Sequence, residues 1–90
     1  MPEKVKIIEQ YDCCIAYDCE AMYYIRLKKG AEASNHSHPH EEIVFLMEGK
    51  AEFILGDKKE TINAPVKITI PPNTYHKFTA MSDLIGLELK

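Results

Sequence analysis

The sequence predicts an all-β domain folded as a small antiparallel barrel, and three features of the chain predict it. Short apolar segments recur along its length, and several of them alternate apolar with polar residues at the period of two that a half-buried strand requires. Glycine and proline stand as punctuation between these segments. No stretch carries a helical period long enough to matter, and there is no internal repeat, linker or low-complexity tract.

The elements follow in order. Residues 5–8 are a first, short candidate strand flanked by charge, and residues 15–17 a second. Residues 21–28 alternate, with Tyr23, Ile25 and Leu27 on one face and Arg26 and Lys28 on the other, and Gly30 ends that run. Residues 43–47 are apolar at every position, as in a central strand covered on both faces. The Glu48-Gly49 turn leads into residues 51–55, where Ala51, Phe53 and Leu55 share a face, and Gly56-Asp57-Lys58 reverses the chain into a polar edge candidate at residues 59–62, a hairpin. In residues 66–70 Val66, Ile68 and Ile70 face inward, and Pro71-Pro72 stops the strand. Residues 75–80 place His76 on one face with Phe78 and Ala80, so His76 points inward. Residues 84–89 form the last strand, with Glu88 expected to be exposed.

Composition sets the class. Ninety residues are expected to make one domain, 1–90, with a core that is modest in proportion to its surface. A content of 46% hydrophobic and 28% charged residues argues against both disorder and a membrane protein. The net charge is -3, and no basic cluster exceeds Lys28-Lys29 and Lys58-Lys59, which argues against nucleic acid as a partner. No apolar run has transmembrane length, and the first residues lack the apolar core of a secretory signal, so a cytoplasmic location is expected. Cys13, Cys14 and Cys19 are odd in number and fit no disulfide framework or zinc spacing. Reduced thiols acting as small apolar residues are expected.

The most informative stretch is residues 30–49. In an extended chain residues i and i+2 project to the same side, so His36 and His38 can offer ring nitrogens to one point, and Glu42 has the same parity. Two imidazoles and a carboxylate suit iron, manganese, nickel, copper or zinc better than calcium. A histidine cluster of this kind also suits a solvated loop; the spacing to the flanking glycines favours a metal site. His40 and Glu41 are candidates for a supporting or proton-transfer role, as is Tyr75, although parity turns Glu41 away.

The spacing is glycine, five residues, histidine, one residue, histidine, three residues, glutamate, six residues, glycine, at Gly30, His36, His38, Glu42 and Gly49. This resembles the first motif of the cupin superfamily. In the second, at residues 65–80, Pro71-Pro72-Asn73-Thr74-Tyr75-His76 has its proline and histidine in position. Pro65, Asn73 and Ala80 depart from the usual glycine, glycine and asparagine there; asparagine tolerates the left-handed backbone that such a turn needs, whereas Pro65 rules out a positive-φ turn at its own position. The resemblance implies a double-stranded β-helix, or jelly-roll, barrel with His76 as fourth ligand to one divalent transition metal. Val44, Leu46, Phe53, Ile68 and Phe78 would line its cavity.

Three imidazoles and one carboxylate leave an octahedral ion two open positions. The resemblance implies small-molecule metalloenzymes of dioxygenase, isomerase or decarboxylase type, or a non-catalytic metal-dependent binding or sensor protein, and fold alone does not choose. No catalytic residue is assigned; a proton-transfer group aimed into the cavity would distinguish the enzyme from the carrier. Finally, Ile43, Phe45 and Met47 face away from the cavity and are too apolar for water, which predicts a homodimer. The competing expectation is that residues 5–17 fold over that patch.

Overall fold

Alternation along the chain resolves into ten strands in the computed structural model, which describes residues 2–35 and 37–90. Met1, His36 and the side chain of Asn35 lie outside the described residues. The strands are β1 (Lys6–Tyr11), β2 (Cys14–Asp18), β3 (Met22–Leu27), β4 (Glu32–Asn35), β5 (Glu42–Glu48), β6 (Lys50–Leu55), β7 (Lys58–Asn63), β8 (Val66–Ile70), β9 (His76–Ala80) and β10 (Leu84–Leu89). They form two antiparallel sheets, one in the order β1-β2-β3-β10-β5-β8 and the other β4-β9-β6-β7. Among the described residues no helix is long and apolar enough to cross a membrane.

The inward faces meet as the alternation requires. Leu27, Leu46, Ile68, Ile70 and Leu84 of the larger sheet and Ala51, Phe53, Ile62 and Ala80 of the smaller one are buried in one core. The rings of Phe53 and Phe78 stack at 4.7 Å between centroids. Each such large side chain fully removed from water stabilises the fold by about 1.5–3 kcal/mol. Phe53 and Ile68 therefore belong to the packed core, whereas Val44, Leu46 and Phe78 line the cavity.

Turn chemistry fixes the registers. Gly49 has φ +98°, and a Cβ there would collide with the carbonyl oxygen of Asp83 and with Leu84, so only glycine fits the turn between β5 and β6. Asn73 has φ 56°, the left-handed conformation that asparagine tolerates. Pairing of β6 with β7 across Gly56 gives the expected hairpin, with β7 at the sheet edge.

Two features differ from expectation. Residues 32–35 form β4, which has little strand propensity of its own and is held by pairing with β9, Glu32 opposite Thr79 and Ala33 opposite Phe78. The β1–β2 hairpin continues the larger sheet beyond β3 and does not fold over the outer face of β5. That outer face carries a row of residues paired strand to strand: Ile7 with Tyr17, Tyr17 with Tyr24, Tyr24 with Leu87, and Leu87 with Phe45.

Candidate metal centre

The site lies where the two sheets face each other. Glu42 opens β5 in the larger sheet and His76 opens β9 in the smaller one, and both side chains are buried, at 5% and 1% exposure. His38 approaches from the loop between β4 and β5 and places its Nε2 3.2 Å from Oε1 of Glu42. The Asn73 N–H donates to the carbonyl of His38 at 2.6 Å, tying the turn before β9 to the histidine loop. The two stretches that sequence spacing singles out are thereby fastened to each other.

The imidazole of His76 has a defined orientation. Its Nδ1 lies 3.1 Å from the Thr74 carbonyl oxygen, which can only accept, so Nδ1 carries a proton and, in the neutral ring, Nε2 presents a lone pair. That Nε2 faces Oε2 of Glu42 at 3.6 Å. With the carboxylate ionised, both atoms are acceptors, and among the described residues neither has a hydrogen-bond partner. Burying two unsatisfied acceptors side by side is costly, and such groups are rare in native interiors. A divalent cation between them would satisfy both, so these residues fit a metal.

The sequence-predicted residues divide accordingly. His38, Glu42 and His76 come together, linked through the Glu42 carboxylate, whereas His36 falls outside the described residues. Among the described residues no three His, Cys, Asp or Glu side chains are already gathered around one point as metal ligands would be. His40 stacks on His38 at 5.6 Å between ring centroids and is exposed. Glu41 is exposed, as parity requires. Tyr75 is also exposed, at 48%, and takes no part in the site.

Glu88 corrects the expectation that it faces water. β10 is a central strand between β3 and β5, and Glu88 shares the inward parity of Leu84 and Gly86, all three lining the cavity. Burial and the adjacent Glu42 carboxyl, within hydrogen-bonding reach, push the Glu88 carboxyl up to about 7. The signal was present in the alternation Leu84, Gly86, Glu88; residue type masked it.

The cavity has a volume of about 70 Å³ and is walled by Ile25, Leu27, Val44, Leu46, Phe78 and Leu84, with Glu42, His76 and Glu88 as its charged or titratable lining groups. That exceeds the roughly 10–15 Å³ needed for one water and falls well short of a drug-sized pocket. It suits a ligand of few heavy atoms.

Two packed antiparallel sheets closing over a His/Glu site define a cupin barrel, and residues 23–88 match the profile of the cupin domain family. The chain belongs to that family, as a small cupin-domain protein of the conserved-barrel type. A search of curated proteins finds no match. Among solved structures, it is similar to the cupin-2 domain Rru_A2000 from Rhodospirillum rubrum, with TM-score 0.79 and 16% identity over 93% of this chain and 67% of that one. It is also similar to hydroxypropylphosphonic acid epoxidase from S. wedmorenis, with TM-score 0.78 and 16% identity over 100% of this chain and 56% of that one. A further similar structure is Fe(II)-HppE with an alternative substrate, with TM-score 0.77 and 15% identity over 100% of this chain and 57% of that one. At these identities the likeness is one of fold.

Proposed function

We propose that this cupin holds one divalent transition metal through His36, His38, Glu42 and His76 and acts as a metalloenzyme on a small organic molecule, of dioxygenase, isomerase or decarboxylase type. The observation that carries the metal reading is the pair of buried atoms, Nε2 of His76 and Oε2 of Glu42, 3.6 Å apart and without a hydrogen-bond partner among the described residues. The Fe(II) bound by a protein of the same fold makes iron a reasonable first ion to test. When bound, such an ion supplies Lewis-acid polarisation or dioxygen activation at its open positions.

The chain's own residues have separable tasks. Thr74 fixes the His76 ring so that, in the neutral imidazole, Nε2 is the free nitrogen and faces Glu42. The apolar walls exclude bulk water, which strengthens every charge interaction inside. Glu88 offers a carboxyl oxygen that can accept or return a proton inside the cavity, a group that a simple carrier would not need. This favours the enzyme over the alternative, a non-catalytic metal-dependent binding or sensor protein.

Two further features belong to this reading. The outer row Ile7, Tyr17, Tyr24, Leu87 and Phe45 supports a homodimer joined through the larger sheet, since a second copy would cover an apolar face. The three free cysteines suit a reducing, cytoplasmic setting. The test of catalysis is an oxygen-uptake and product screen of protein loaded with Fe(II) under anaerobic conditions and offered small hydroxy acids, keto acids and sugars. Turnover of one class supports the enzyme; tight ligand binding without turnover supports the carrier.

A further inference from the structure

Resting on the metal-binding reading above, we propose that Glu88 is a second carboxylate of the metal centre, whose charge sets how tightly a divalent cation is held beside Glu42 and His76. In register Glu88 lies opposite Val44 of β5, two residues beyond Glu42, so the two carboxyls occupy neighbouring places on one wall of the cavity. Both line the same cavity. Among the described residues no lysine or arginine lines that cavity to neutralise them. Two carboxylates in contact in apolar surroundings repel, and their burial is tolerated only with a compensating partner.

A dication supplies that compensation. Oε2 of Glu42 and Nε2 of His76 are buried and unpartnered among the described residues, which marks where it would sit. With Glu42 alone, a doubly charged ion would leave one net positive charge in an apolar cavity. Glu88 brings the sum to zero. A second carboxylate also hardens the donor set, favouring Fe(II) or Mn(II) relative to softer ions.

The test is calorimetric titration of chelator-stripped, full-length protein with Mn(II) chloride and Zn(II) chloride, on wild type, Glu88→Gln and Glu88→Asp. Glu88→Gln is expected to weaken binding by about 10–100-fold, the range for groups that support metal ligands, with the larger loss for Mn(II). Glu88→Asp should keep most of the affinity. Metal-free Glu88→Gln should unfold at a temperature equal to or above that of wild type, because a repulsion has been removed. Wild type binding both ions with Glu88→Gln equally tight overturns this inference alone. A metal-free Glu88→Gln that is less stable than wild type assigns Glu88 a structural role and also overturns it. Wild type binding neither ion overturns the metal reading, and this inference with it.

Discussion

Nε2 of His76 stands 3.6 Å from Oε2 of Glu42, both buried and neither with a hydrogen-bond partner among the described residues. The arrangement follows from strand starts: β5 and β9 each begin with one of these residues, on opposite sheets, so the closed barrel brings them together. The Thr74 carbonyl then dictates which ring nitrogen is free.

The Glu88 carboxyl gives the metal-free protein a pH signature. Its folded value of about 7 lies above the ordinary 4.5, so the folded chain retains a proton that the unfolded chain releases. By linkage, this contribution to stability is complete below about 4.5 and is lost as pH rises through about 7. Glu42 and His76 face the same cavity, so the comparison must isolate Glu88. Thermal unfolding of metal-free protein at pH 5.5 and pH 8 should show a larger loss in wild type than in Glu88→Gln; equal losses would contradict the assignment.

Gly49→Ala should be among the most disruptive single-methyl additions in the chain. It forces a side chain into φ +98° and against the Asp83 carbonyl, and positions of this kind cost about 1–3 kcal/mol from backbone strain alone. Urea unfolding measures this directly. A variant within error of wild type would mean that the β5–β6 turn relaxes freely.

The cysteines should be bystanders. Cys13 and Cys19 are exposed, and burial, followed by the Glu9 carboxylate, pushes the Cys14 thiol up, which disfavours the thiolate needed for nucleophilic or metal chemistry. Replacing all three by serine should leave metal content and any turnover intact. Loss of metal from a folded triple variant would overturn this.

The outer row on the larger sheet should be a subunit interface. Light scattering across a dilution series is expected to give twice the 10.3 kDa chain mass, reverting to one chain mass in a folded Phe45→Glu variant. A wild-type monomer at micromolar concentration would exclude the dimer.

Much of this was legible in the sequence where local pattern and tertiary role agree. The strands at residues 66–70 and 84–89 are delimited as expected because alternation and flanking proline or turn residues coincide with their ends. The approach of Glu42 to His76 is legible through the resemblance to the two cupin motifs, whose glycines and proline mark the turns that deliver both residues. β4 was not foreseen, since Glu-Ala-Ser-Asn owes its conformation to β9 and not to its own propensity. Glu88 was placed in water because a carboxylate in a strand is normally solvated, and only the cavity shared with Glu42 reverses that preference. Tyr75 adjoins His76 in sequence, yet it precedes β9 and its side chain is exposed.

The most direct test of the metal centre is the metal content of protein purified without chelator or nickel affinity resin, with wild type measured beside His76→Ala at neutral pH. One divalent transition ion per wild-type chain is expected, released on acidification as the imidazoles protonate, with most of it lost from a folded His76→Ala variant. Metal-free wild type that takes up no added Fe(II), Mn(II) or Zn(II), or a His76→Ala variant that keeps its full complement, would contradict the account.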